Sequence, residues 1–173
     1  MKFFLKTFAS VTSLYFFLFT PVFADMFISF DEGAPKDRFT FLNTGNCTIK
    51  AATVKLDLSG SQSGLIFDVT EKGKGVNVFQ PLEITSGKKA LLKIPNANDG
   101  DNYVNLEIDQ LKSGQSISFT IDVDDTMGSR EITVTGAEIA GANVNFSQSG
   151  KSVSSAFGSN ALATIKLIAC GVP

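Results

Sequence analysis

The 173-residue chain has no histidine and no tryptophan, and it carries only two tyrosines, two cysteines and two arginines, Arg38 and Arg130. Each scarcity excludes something. Without histidine there is no Ser-His-Asp relay, and both the commonest general base and the commonest metal ligand are missing. Two cysteines with no histidine cannot complete a four-ligand zinc site. The formal net charge is −2. With so few arginines and no basic stripe interleaved with aromatics, a nucleic-acid partner is not indicated.

What is present begins with an export signal. Lys2 and Lys6 precede an uncharged, Phe-rich stretch over 7–23 that ends Pro21-Val22-Phe23-Ala24. This is the layout of a cleavable secretory segment, with processing expected after Ala24. The alternative is an uncleaved membrane anchor, for which the stretch is short and Pro21 badly placed. Residues 1–24 are therefore read as signal and 25–173 as one exported domain, in the periplasm or the medium. That domain holds all 17 acids and 13 of the 15 basic residues, a net charge of −4. Export also suits a disulfide between Cys47 and Cys170. Closing a loop of that length stabilises by roughly 4–5 kcal/mol at most in the chain-entropy model. Two buried free thiols are the alternative.

The rest of the chain alternates apolar and polar residues with period two. Val54, Leu56 and Leu58 alternate with Lys55 and Asp57; Ile117, Phe119, Ile121 and Val123 alternate with Ser118, Thr120, Asp122 and Asp124. Such runs are strands with one face on a core and one in water. Turn chemistry separates them, as at Asn43-Thr44-Gly45-Asn46 and Asn98-Asp99-Gly100-Asp101. The pattern predicts strands over 37–43, 49–58, 64–69, 76–84, 89–94, 102–109, 115–123, 129–135, 143–147 and 161–169, about eight to ten in all. Residues 136–142 read as a loop, and the Ser/Gly-rich 147–160 as a mobile loop or a hairpin. The expected fold is all-β: an antiparallel two-sheet β-sandwich of immunoglobulin-like or jelly-roll type.

The strongest chemical signal is Asp122-Val123-Asp124-Asp125. Asp122 and Asp124 fall on one face of a strand, roughly 6.8 Å apart along it. With Asp125 at the strand end, the three acids are candidate ligands for Ca²⁺, a hard cation that takes several oxygens. Asp99 and Asp101 form a second candidate from a loop. The plainer reading is an acidic rim that keeps a sheet edge from pairing. Other motifs fail on inspection. Gly150-Lys151-Ser152 ends like a phosphate loop, but its first glycine position is Asn145, so no nucleotide site is indicated. Gly60-Ser61-Gln62-Ser63-Gly64 resembles a nucleophile elbow, yet its centre is Gln62. Asn46-Cys47-Thr48 and Asn145-Phe146-Ser147 match the N-glycosylation pattern without further support.

Several blocks are similar to a known family. They are 32–39 (Glu-Gly-Ala-Pro-Lys-Asp-Arg-Phe), 64–68, 75–81, 119–126 (Phe-Thr-Ile-Asp-Val-Asp-Asp-Thr) and 130–141. Together they resemble small exported bacterial proteins labelled "aggregation factor core", after part of the sponge aggregation factor. The resemblance implies an extracellular adhesion module, with calcium as an associated ion, and it carries no catalytic residues. Beside it, Asp68 and Asp125 read as turn caps that accept backbone N–H bonds, and Arg130 as a partner for Asp124 or Asp125.

The expected function is a non-enzymatic binding or adhesion module, meeting a protein or matrix polysaccharide surface, or its own copies. Ca²⁺ would stiffen it through Asp122, Asp124 and Asp125. A membrane would be involved only through an uncleaved signal. Two alternatives stand beside this. One is a secreted β-sandwich polysaccharide hydrolase built on carboxylates among Asp122, Asp124, Glu107 and Glu131, against which the single Tyr of the exported part, Tyr103, weighs as a poor aromatic platform. The other is a structural subunit of a filament or surface layer, paired through an open sheet edge.

Overall fold

The structure is a computed structural model. It describes residues 23–70, 79–127, 134–168, 170 and 172. In chain order the strands are β1 (Phe23–Asp31), β2 (Asp37–Asn43), β3 (Ile49–Asp57), β4 (Ile66–Phe67), β5 (Glu83–Ser86), β6 (Tyr103–Leu111), β7 (Ser116–Ile121), β8 (Val123–Asp124), β9 (Asn143–Gln148), β10 (Lys151–Ala156) and β11 (Leu162–Ile168). One 3₁₀ turn, Lys88–Ala90, lies between β5 and β6. No helix among the described residues is long and apolar enough to cross a membrane.

The strands form a five-stranded sheet in the order β11-β1-β2-β7-β5 and a four-stranded sheet in the order β10-β9-β3-β6, with β4 and β8 as a separate short ladder. Every pairing is antiparallel. The inner faces are the alternating apolar residues. Met26, Ile28, Phe39, Phe41, Ile117 and Phe119 of the first sheet share one buried cluster with Val54, Leu56, Leu106, Ile108, Val144 and Phe146 of the second. Phe30, Phe39, Phe119 and Phe41 form a chain of rings, with successive centroids 5.0, 5.3 and 6.0 Å apart. The all-β two-sheet sandwich is thus the fold of this chain.

Several elements differ from the periodicity reading. β1 was not among the expected strands, because its Phe-rich start runs on from the apolar stretch over 7–23. The expected strand over 89–94 is instead the 3₁₀ turn followed by a single bridge from Leu91 to Ile108. Gly87, with φ of 71°, starts that turn. A Cβ on Gly87 would collide with the Ser116 carbonyl, so glycine is required there. The expected strand over 115–123 breaks at Asp122. β7 pairs with β2 and β5, and the chain then leaves that sheet for β4. The strand expected over 129–135 falls largely outside the described residues, and Val134 and Thr135 are not in a strand. Residues 147–160 contain the β9–β10 hairpin. Its turn is Ser149-Gly150, with φ of 51° and 79°. Positive φ at both central positions belongs to the tight turn whose twist suits a hairpin.

Cys47 and Cys170 are bonded, with Cα atoms 5.9 Å apart. The bridge fastens the end of β11 to the β2–β3 loop.

Candidate functional site

The acids predicted from the strand pattern do converge, but with a different third member. Ile121 and Val123 are buried, and their alternation turns Asp122 and Asp124 to the same side. β8 pairs with β4 in the register Ile66↔Asp124 and Phe67↔Val123. The next residue, Asp68, donates its backbone N–H to the Asp122 carbonyl at 3.1 Å. Asp68, Asp122 and Asp124 each bring a carboxylate oxygen within 4.8 Å of the other two.

Asp68 is the unusual member. It is only 1% exposed, and neither of its carboxylate oxygens has a hydrogen-bond partner. Oδ2 of Asp124 is also buried without a partner. Carboxylates in this condition are costly to keep ionised, because burial removes water and nothing replaces it. The reading of Asp68 as a turn cap is therefore overturned, since its side chain accepts no backbone N–H. Asp125 does cap: its Oδ1 accepts the Met127 N–H at 3.0 Å, and it lies outside the converging group. Arg130, its other suggested partner, lies outside the described residues.

Two more acids flank the trio. Asp37, at the start of β2, is 2% exposed. Its oxygens accept the Gly33 N–H at 3.0 Å and the Val123 N–H at 3.2 Å, which ties β2 to β8. Asp99 accepts the Val69 N–H at 3.2 Å from the far side. Its neighbour Asp101 holds the loop turn instead, accepting the Asn98 N–H at 2.8 Å and the Asn98 amide at 2.9 Å. Of the two loop acids named from sequence, Asp99 therefore reaches the cluster and Asp101 does not.

The protonation equilibria record the crowding. Burial, reinforced by the charges of Asp122 and Asp124 and opposed by the Gly33 and Val123 bonds, raises Asp37 from 3.8 to about 7. Burial and then the Asp124 charge raise Asp122 to about 6. Asp68 is pushed up by burial and by its neighbours Asp99 and Asp124. Asp99 is held below the usual carboxylate range, first by its contact with Asp68. Lys36 favours ionised Asp122, but its ammonium points to the Pro81 carbonyl at 2.9 Å and to Glu83 at 3.2 Å.

The donor set suits a hard divalent cation. All candidate ligands are oxygens, which excludes the nitrogen and sulfur chemistry of zinc. Calcium–oxygen bonds of 2.3–2.6 Å place opposed ligands about 5 Å apart, whereas magnesium needs about 4 Å and a regular octahedron. The candidate ligand atoms lie within 4.8 Å of one another, close enough for one such cation to bridge them. Glu107, a carboxylate considered for hydrolysis, is on β6 of the four-stranded sheet and pairs with Lys93 at 2.7 Å. Glu131 lies outside the described residues.

Asp68 was the candidate ligand that strand periodicity did not point to, and Asp37 the flanking acid it did not point to. For Asp68 a signal existed: an acid inside the apolar run Leu65-Ile66-Phe67-Asp68-Val69.

No family model and no curated protein matches the chain. Among solved structures it is similar to the carbohydrate-binding module CBM3b from the cellulosomal cellobiohydrolase 9A of Clostridium thermocellum, at 16% identity and a TM-score of 0.33 over 79% of this chain and 96% of that one. It is also similar to the "unique CBM3" of Hungateiclostridium clariflavum, at 14% identity and a TM-score of 0.31 over 80% and 98%. A third is a family IIIA CBD from Clostridium cellulolyticum, at 15% identity and a TM-score of 0.27 over 89% and 99%.

Proposed function

We propose that this chain is an exported, non-enzymatic binding module whose sandwich is stiffened at one end by Ca²⁺. The observation that carries the reading is Asp68: a buried carboxylate with both oxygens unpartnered, and with a carboxylate oxygen of each of Asp122 and Asp124 within 4.8 Å. Asp68, Asp122 and Asp124 would hold the ion, with Asp99 beside them on the loop. Its role is structural: it neutralises like charges that burial forces together and joins β4, β8 and the 98–101 loop. The resemblance to the aggregation-factor-core proteins supports surface adhesion as the setting, with a matrix polymer, another envelope protein or a second copy as partner. Secretion follows from the signal layout of residues 1–24.

The test is a thermal melt of the exported protein, non-reduced, in millimolar calcium and in chelator. A ligand that binds only the folded state at a hundred times its dissociation constant adds about 2.7 kcal/mol. For a domain of this size, that is a rise of roughly 5–10 °C. Asp68→Asn should melt at the same or a higher temperature than wild type in chelator, and should lose the calcium response. Asp125→Asn should keep it. No shift in wild type across millimolar calcium would sink the proposal.

A further inference from the structure

The outer side of β6 carries a groove of about 360 Å³ between the strand and the segment over 93–98, within the range of small-ligand sites, about 300–1,000 Å³. Its walls are of two kinds. Tyr103, Ile94 and Pro95 supply apolar surface; Asn96, Asn98 and Asn105 supply amides. Tyr103 is 46% exposed and Ile94 48%. Lys55 Nζ sits 4.7 Å from the Tyr103 ring centroid, which fixes the ring from one side.

The charges in the groove are largely settled among themselves. Lys93 pairs with Glu107 at 2.7 Å. Asp101 is occupied by two bonds from Asn98. An ionic ligand therefore finds no unmatched partner of opposite sign. Carboxamides differ: each offers two donors and an acceptor. No side-chain hydrogen bond engages Asn105 among the described residues, and Asn96 makes one, a long 3.3 Å contact to Asn98. A ring with an apolar face, set beside the unengaged amide of Asn105 and the weakly engaged amide of Asn96, matches an amphipathic molecule with C–H groups on its flat side and hydroxyls around its edge.

We infer that this groove is a binding site for a neutral saccharide, with Tyr103 stacking on one pyranose ring and Asn96 and Asn105 bonding its hydroxyls. The inference rests on the binding-module reading and gives that reading a ligand class. One loop serves both places: Asn98 and Asp101 face the groove while Asp99 meets Asp68. Two backbone bonds, Phe67 N–H to the Asp101 carbonyl and Gly100 N–H to the Phe67 carbonyl, each 2.8 Å, clamp that loop to the segment just before Asp68.

Titration of the isotope-labelled exported protein, disulfide intact and in calcium, with cellohexaose and separately with chitohexaose tests this by amide chemical shifts. The expected result is saturable shifts at Ile94–Asn98 and Tyr103–Glu107 with at least one of the two sugars. Tyr103→Ala should weaken binding about tenfold or more, and Tyr103→Phe should leave it within about threefold, since the ring face does the stacking. Both variants are checked by melting, and Tyr103→Phe keeps the test valid if the alanine variant unfolds. Shifts absent with both sugars at millimolar concentration, shifts confined to another surface, or unchanged affinity in a folded Tyr103→Ala would overturn it. The calcium melt separates the two proposals. A calcium response without groove shifts removes the saccharide site alone, and groove shifts without a calcium response remove the calcium reading alone.

Discussion

The Asp68 N–H and the Asp122 carbonyl share a hydrogen bond of 3.1 Å, and through it two acids distant in sequence are held side by side at the backbone. The bond fixes the backbone spacing from which both side chains reach toward Asp124. β4 and β8 add only two residue pairs to this contact. The local structure therefore gathers like charges that would otherwise disperse. A proton or a cation is what relieves them.

A pH dependence of unusual sign follows for the cation-free protein. Asp37 at about 7 and Asp122 at about 6 lie above the ordinary 3.8, and Asp68 is raised with them. Groups raised on folding contribute stability that is fully present below their unfolded value, near pH 4, and is lost as pH climbs through their folded values. Three other groups act in the opposite sense, one of them Asp99, held low first by its contact with Asp68. Asp57 is partly buried, yet bonds from Lys55 and Ser59 hold it low; Glu138, also partly buried, is held low by Thr135 and Ser63. Their contribution disappears only as pH falls below about 4. In chelator, the melting temperature should therefore rise by several degrees from pH 8 to pH 5 and fall again in stronger acid. In saturating calcium the slope between pH 8 and pH 5 should flatten or reverse, because protons then compete with the ion. A chelated protein most stable at pH 8 would show that these carboxyls are not raised.

The sandwich was legible in the sequence because its inner faces are built from plain alternation. β2 and β9 follow the apolar spacing almost residue for residue. Legibility failed where one segment serves two sheets. Asp122 sits in an unbroken alternating run, and nothing in that run says that the chain leaves β2 and β5 for β4 there. Asp122 and Asp124 were found because they share a strand face. Asp68 and Asp37 come from other segments, and only tertiary pairing brings them in. The 89–94 stretch misled in the opposite way: Leu92 and Ile94 look like core spacing but are 63% and 48% exposed. Gly87 and Pro95 bound that segment and keep it out of the ladder.

The ring chain across the first sheet should carry much of its stability. Phe119 is fully buried and touches both Phe39 and Phe41, its cross-strand and diagonal neighbours. Phe119→Ala removes contacts on two sides in a core that cannot collapse around the gap, so a loss of about 3–5 kcal/mol is expected. Phe119→Leu should cost much less, because it returns most of the volume. Urea unfolding with unchanged slope and a lowered midpoint would report this directly. A cost under about 1 kcal/mol for the alanine variant would mean the rings are not packed as described.

The disulfide joins residues 123 apart in sequence and should be independent of the acidic site. Asn43 prepares the Cys47 side of it. Its buried amide donates to the Cys47 carbonyl at 2.8 Å and the Leu111 carbonyl at 3.0 Å, and its oxygen accepts the Gly45 N–H at 3.0 Å. Every polar atom of that side chain is therefore engaged, and the β2–β3 loop should keep its shape when the bridge is removed. The bridge then acts chiefly on the unfolded chain, where it restrains a sequence separation of 123 residues. The paired substitution Cys47→Ser with Cys170→Ser should leave the fold intact and lower stability by roughly 4–5 kcal/mol at most, or about 10–15 °C in melting temperature. Asn43→Ala should add its own loss of about 1–3 kcal/mol, because it strands two buried carbonyls and an N–H. Neither change touches Asp68, Asp122 or Asp124, so the calcium-induced rise in melting temperature should persist in the double-serine variant at nearly its full size. A bridge-free protein that melts as the wild type does would refute the unfolded-state account, and loss of the calcium response with the bridge would show that the two ends of the sandwich are not separate.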